Sequence, residues 1–371
     1  MKFHFIFINF NAYNITPDDL KVELVYYIYM KWNYVWSECF KECKTLTKVA
    51  IPPSINEIYQ SAFYKCVSLT EVFIPSTVKI IQNKAFYGCS SLTYISIPSS
   101  VIDFGYSVFG ECESLKSISI PSSIEVIQTE TFKGCKSLQH VTIPFSVSAI
   151  YNNAFRDCTS LEYIIIPSSV KKISRGCFYN CTSLKQIVIP SSVKKIDSYC
   201  FSKCISLCNV IIRGHLESIK EEAFYGCKSL EKIDIPSTVK LIEDDVFNGC
   251  SSLKHFSIPP LITEINQCFF SNCHSLEEIS IPSSVTSIGH CAFASCKSLK
   301  EIKIPPSVNT IKSAAFFNCS KLTKAIIPKS ITTIEYSLFE NCDSLKEVFI
   351  PSSIKHIGEN AFPPQAKIIK Y

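Results

Sequence analysis

Glycine is scarce in this chain, at ten of 371 residues. No Gly-rich phosphate loop, Gly-x-Ser-x-Gly elbow or Walker-type lysine is present, so nucleotide-binding and serine-hydrolase chemistry have no motif to rest on. Charge is thin as well. Asp, Glu, Lys and Arg make up 19%, the net charge is only +5, and no block of five Lys/Arg occurs, which leaves nucleic acid no electrostatic footprint. No run reaches about 18 uninterrupted apolar residues, so no transmembrane segment is expected. Cysteine is abundant at twenty, yet neither Cys-x-x-Cys nor His-x-x-x-His occurs, and these are the local pairs from which zinc sites are built. The chain reads as non-enzymatic, with no cofactor and no metal.

What is present is a repeat. From Cys43 to Cys342 a cysteine stands every 23 residues, in fourteen repeats without one insertion or deletion. Three residues before each stands phenylalanine (Phe40 to Phe339), three after stands leucine (Leu46 to Leu345), and eight after stands isoleucine (Ile51 to Ile350). A unit of this length cannot bury its own apolar face and must stack on its neighbours, so the spacing predicts an elongated solenoid rather than two or three globular domains.

Each period divides by its own spacing. Leu161-Glu-Tyr-Ile164-Ile-Ile166 alternates at its end and is β-branched, which predicts a short strand with Ile164 and Ile166 inward. Proline follows in thirteen of the fourteen repeats and lacks the N–H to continue a ladder, so the strand is expected to run five or six residues. A turn and a second short extended segment follow. Ile173, Cys177, Phe178, Cys181 and Leu184 then fall at helical spacing and predict one face of a short helix. The repeat that lacks proline, Ile212-Arg213-Gly214-His215-Leu216, keeps its inward set and is expected to bend the coil locally at most.

Leu-x-x-Ile-x-Ile-Pro-x-x-Val-x-x-Ile-x-x-x-Ala-Phe-x-x-Cys resembles the BspA-type leucine-rich repeat of bacterial and protist surface antigens. The resemblance covers about residues 37–364. It implies an α/β solenoid: a right-handed leucine-rich-repeat horseshoe with one short parallel strand per repeat on the concave face and short helical turns on the convex face. It further implies adhesion or protein binding. Where the common leucine-rich repeat has asparagine after its strand, this chain has Ser or Thr in twelve of fourteen repeats, such as Ser100, Ser123 and Thr238. Those hydroxyls are expected to bond turn backbone of the neighbouring coil.

Residues 1–36 lie outside the register. A lysine at position 2 before an apolar run resembles a secretory signal, but His4 and Asn9 interrupt it and no small-x-small cleavage site follows. The alternative is a terminal cap over the first repeat's apolar face. Residues 365–371 are expected to close the other end as an edge strand.

The fourteen register cysteines read as small buried thiols in a stacked core, since equivalent side chains point the same way and do not turn toward each other as a disulfide requires. Cys39, Cys177 and Cys200 replace alanine and are also core-like, and Cys208 stands beside a strand's inward set. Cys268 and Cys291 occupy a position that is Lys84, Glu130, Glu222 or Asp245 elsewhere, so they are expected to be exposed thiols in adjacent repeats. Whether they bridge is left open.

The outward strand residues are the fifth and seventh after each register cysteine. His140 and His255 fall among them as solvated surface residues. Tyr94, Tyr163, Ile165, Val188 and Ile211 fall there too, and the last four are expected to form one apolar patch, the kind of anchor a protein partner needs. Two readings of function follow: an adhesion protein, secreted or on the cell surface, that binds a protein or a cell-surface macromolecule; or a cytoplasmic scaffold for protein partners. The sequons Asn14-Ile-Thr, Asn180-Cys-Thr and Asn318-Cys-Ser are compatible with the first.

Overall fold

A computed structural model describes residues 36–371 together with two strands ahead of them, Val25–Tyr27 and Tyr34–Val35. It comprises two units, Met1–Leu184 and Lys185–Tyr371. The reading of residues 1–36 as cap or signal lies largely outside the described residues. The two early strands nonetheless pair with Lys48–Ala50 and Glu57–Ile58, each 23 positions later, so both strand ladders begin before the first register cysteine.

Every repeat of a unit contributes to parallel ladders. The expected strand after the register leucine is there in eleven of the fourteen repeats, as in Lys48–Ala50 and Glu71–Phe73 of the first unit and Gln186–Ile189 and Asn209–Ile212 of the second. Residues 161–166 form no strand, with a bridge at Tyr163 alone, and residues 92–97 and 230–235 form none either. Where present, the strand is three or four residues long rather than five or six. The register leucine N–H is spent inside a turn, as in Leu92 N–H to Cys89 C=O at 3.0 Å, so the ladder starts two residues later. The second extended segment forms a two-residue ladder of its own, for example Ile80–Ile81 and Asp103–Phe104. Partners are equivalent residues one repeat apart, such as Lys48 with Glu71 and Ile219 with Ile242. At the C-terminal end Lys367–Lys370 pairs with Glu347–Ile350, and the Tyr371 hydroxyl donates to the Ile327 carbonyl at 2.7 Å.

Among the described residues there is no helix, so the expected short helical turns are corrected to consecutive β-turns. The inward set was right: Ile173, Cys177, Phe178, Cys181 and Leu184 are all buried. Its conformation was not. In every repeat the residues five and one before the register cysteine have positive φ, for example Lys84 at 55° with Gly88 at 73°, and Glu222 at 52° with Gly226 at 68°. An α-helix needs φ near −63° throughout and i to i−4 bonds. Here alternate donors do different things. Ala85, Tyr87 and Cys89 N–H close local turns onto residues three back, while Lys84, Phe86 and Gly88 N–H reach the next repeat's Tyr106, Val108 and Gly110 carbonyls at 2.7–3.0 Å. The turn face is thus hydrogen-bonded sideways as a sheet is, which satisfies its backbone without a helix.

The core repeats with the chain. Phe40, Phe63, Phe86, Phe109, Phe132 and Phe155 stack in the first unit with ring centroids 5.2–5.8 Å apart. Phe201, Phe224 and Phe247 continue this way in the second. The cysteines have a role beyond filling space. Twelve register thiols, from Cys66 to Cys342, donate to the carbonyl of the phenylalanine 26 residues earlier, as in Cys89 Sγ to Phe63 O at 3.2 Å and Cys273 Sγ to Phe247 O at 3.2 Å. A thiol is small and apolar yet carries a weak donor, so it fills the core and satisfies that carbonyl together. The hydroxyls after proline behave as expected: Ser100 Oγ reaches Val78 O and Ser284 Oγ reaches Ile262 O, both at 2.7 Å. In the repeat without proline, Gly214 has φ 102°, and a Cβ there would lie 2.6 Å from Ser191 Cβ. Glycine is required by that close approach.

Candidate functional site

The outward face of the first strand ladder presents two side chains per repeat, because alternate residues point to opposite sides of a strand. On the first unit Tyr94, Tyr163 and Phe73 are more than half exposed and Ile165 is 83% exposed. On the second unit Ile211 is 38% exposed, while its in-register neighbour Val188 is half-buried. Tyr163 and Ile165 therefore belong to one unit, and Val188 and Ile211 to the other. Phe73, Ile326 and Phe349 share the same outward offset, and Lys324 Nζ lies 4.7 Å from the Phe349 ring centre. These three phenylalanine and isoleucine residues were not among the expected partner residues, although their offset from the register cysteine places them on this face. Phe145, 77% exposed, stands after Pro144 where most repeats have a small polar turn residue.

Among the described residues, cavities open on the outward strand face of each unit. The largest, about 860 Å³, lies in the second unit and is lined by Lys232, Asp234, His255, Glu278, Glu301 and Lys303. Lys232 Nζ pairs with Asp234 at 3.1 Å, and the His255 imidazole stands beside Glu278, with Nδ1 3.6 Å from its carboxylate. A second of about 490 Å³ includes Cys208, Asn209 and Ile211. The third, about 440 Å³, is in the first unit and is lined by Tyr94, Ser96, Ser117, Ser119, His140 and Thr142.

All twenty cysteines are free thiols. Cys177 and Cys200 are buried and Cys39 half-buried, as core-like positions require. Cys268 and Cys291, expected to be exposed, are half-buried instead, and the exposed thiol is Cys208. The cause is the left-handed turn. Both have left-handed φ, 50° and 53°, and each thiol meets the equivalent side chain of the preceding repeat, Asp245 for Cys268 and Cys268 for Cys291. The Cys268 thiol is hydrogen-bonded to Asp245, and burial with the neighbouring carboxylate pushes its pKa up to about 12. Cys291 Sγ lies 3.2 Å from His290 Nε2, whose Nδ1 meets Ser313 Oγ at 2.9 Å. Among the described residues no group of three His, Cys, Asp or Glu has metal-binding geometry.

Two of the three sequons are by-products of the repeat. Asn180 and Asn318 sit at left-handed positions, where asparagine is tolerated, directly before a register cysteine. Their side-chain amides donate to Asp157 Oδ1 at 2.8 Å and Ser295 Oγ at 3.1 Å. Asn14 lies outside the described residues.

A leucine-rich repeat protein from Bacteroides ovatus ATCC 8483 is 30% identical, with a TM-score of 0.84 over 91% of this chain and 87% of that one. Another from Eubacterium ventriosum ATCC 27560 is 27% identical, with a TM-score of 0.56 over 80% of this chain and 83% of that one. No curated protein matches. The family described as "BspA type Leucine rich repeat region" matches residues 28–139, 126–254 and 240–369, in 6 copies. With its stacked parallel strands, this chain is a member of the BspA-type leucine-rich repeat family.

Proposed function

We propose that this chain is a non-enzymatic binding protein that holds a protein or cell-surface macromolecule on the outward face of its first strand ladder, from the cell surface or in secreted form. The observation that carries this reading is that the outward strand face of each unit is both hollowed and apolar in places: one cavity with exposed Tyr94, Tyr163 and Ile165 on the first unit, two cavities with Ile211 on the second. None of these side chains is needed to fill the core. Exposed aromatic and aliphatic groups among polar neighbours are what a partner's anchors require.

The test is capture of a partner by the wild type and by a variant carrying Ile165→Lys and Ile211→Lys, with Val188→Lys added in a second variant. Partner binding is expected to be lost while circular dichroism and melting temperature stay nearly unchanged. Retained binding, or a large drop in melting temperature, would refute the reading.

The cytoplasmic scaffold reading draws on the free thiols, which suit a reducing compartment. Burial of the register thiols also protects them from oxidants, so they are equally at home outside the cell. Gel mobility of native material before and after deglycosylation separates the two. An unshifted band in the soluble cell fraction removes the surface reading.

A further inference from the structure

The cavities on the strand face differ in chemistry. The largest, in the second unit, is lined by lysines and carboxylates. The cavity in the first unit has no Lys, Arg, Asp or Glu in its lining. It is built from an exposed tyrosine, an exposed histidine and a floor of small hydroxyls. We propose that this first-unit cavity is a binding site for a neutral oligosaccharide. The inference rests on the reading that the strand face binds ligands, and goes beyond it by assigning the ligand of one stretch.

The register sets the geometry. Tyr94 bridges Ser117, and Ser117 pairs with His140, so the two rings stand two strands apart with one serine between them. At the usual inter-strand spacing that is about 9.6 Å. The slot between the rings is of the size of one sugar ring. The parallel column two residues further on is Ser96, Ser119 and Thr142, with Ser119 paired to Thr142. Tyr94 is 59% exposed, so its ring face is available. The side-chain hydroxyls of Ser96, Ser117, Ser119 and Thr142 have no protein partner among the described residues.

Each feature matches a property of an uncharged sugar. The apolar C–H face of a pyranose packs on an aromatic ring, and its hydroxyls exchange hydrogen bonds with neutral groups that donate and accept at once. An uncharged lining costs no desolvated ion when a neutral ligand displaces water. A nucleic acid or an acidic glycan would meet no cation there. A protein partner would bring ionised side chains that find no counterpart in this lining.

The test is calorimetric titration of the whole chain with cellohexaose, chitohexaose, mannohexaose and maltohexaose, with a heparin oligosaccharide as the charged control. At least one neutral chain is expected to bind and heparin not to. Tyr94→Ala and Ser117→Val should each weaken that binding by on the order of tenfold or more. Valine is a strong strand former, so the second variant removes the hydroxyl without threatening the fold. Ile211→Lys, on the other unit, should leave glycan binding unchanged. It therefore reports on the partner face alone, and failure there is distinguishable from failure here. No binding across the neutral panel, binding of heparin alone, or unchanged affinity in both the Tyr94 and Ser117 variants overturns the proposal. So does a protein partner that requires Tyr94 when no glycan binds.

Discussion

Replacing Gly226 with alanine separates the two conformations that the turn segment's inward pattern allows. In a helix interior, glycine to alanine stabilises by about 0.5–1 kcal/mol. Gly226 instead has φ 68°. A left-handed L-residue costs about 1–2 kcal/mol, offset by the roughly 0.4–1 kcal/mol gained because alanine restricts the unfolded chain. The net expectation is a loss of about 1 kcal/mol, opposite in sign to the helical case. The site is clean for this purpose, since an added Cβ meets nothing closer than Lys203 Cα at 4.0 Å. Ser337→Gly, at φ 54°, supplies the mirror experiment: it releases left-handed strain at the expense of chain entropy and should be neutral or stabilising. Urea titrations followed by far-ultraviolet circular dichroism, with midpoint and slope compared, report both signs. A stabilising Gly226→Ala together with a destabilising Ser337→Gly would refute the turn assignment.

Phe178 is fully buried and stacks on Phe155 at 5.5 Å, so Phe178→Ala should cost about 3–5 kcal/mol in denaturant titration. Tyr179→Ala should cost about 1 kcal/mol, chiefly the stacking of the Arg156 guanidinium 4.3 Å from its ring centre; equal losses would count against the assigned face. The register thiols make a pH prediction. Burial raises Cys112 and Cys250 to about 12 from an ordinary 9.0, so the folded state holds these protons at a pH where the unfolded state releases them. Stability should be full below about pH 9 and fall as pH rises through 9 toward 12. Each such thiol should cost the folded state on the order of 1 kcal/mol by pH 10, so several titrating together reach the range of an ordinary domain's stability, about 5–15 kcal/mol. A circular dichroism signal and urea midpoint unchanged from pH 7 to 10.5 would contradict this.

The inward residues were legible in the sequence because burial is periodic and period is what a sequence displays. Ile164, Ile166, Cys177, Phe178 and Leu184 were all assigned inward, and all are buried. Backbone conformation was less legible. Apolar residues four, one, three and three apart fit one face of a helix, and they fit consecutive turns equally well. The distinguishing signal was composition at two other offsets. One residue before the register cysteine stand Gly88, Gly134, Gly226, Gly249, Asn180, Asn272, Asn318 and Asn341, and no Val, Ile or Thr occurs there or five before it. In an isoleucine-rich chain that avoidance marks positive φ. The same oversight misplaced Cys268 and Cys291, whose exposure depends on where a left-handed residue aims its side chain. The bond from a register thiol to a phenylalanine carbonyl crosses between repeats, and no local pattern displays it. On the strand face the alternation identified which residues point outward, while which of them line a cavity depends on side-chain size in neighbouring rungs.

The unbroken register bears on how such a chain changes length over generations. Lateral bonds join equivalent residues, so excising one coil, residues 250–272, would bring Cys273 to the place of Cys250 and return the same ladder one rung shorter. Loss of a single residue would instead throw every later strand out of phase, turning its apolar side to solvent. Recombination between coils is thus conservative for the register and inventive for the surface. The excision would remove His255 and set Lys232 beside Glu278, a new pair of opposite charges. In the buried stack it would remove Phe256 and Phe269, so that Phe247 loses both rings and Val246 comes to neighbour Ala292.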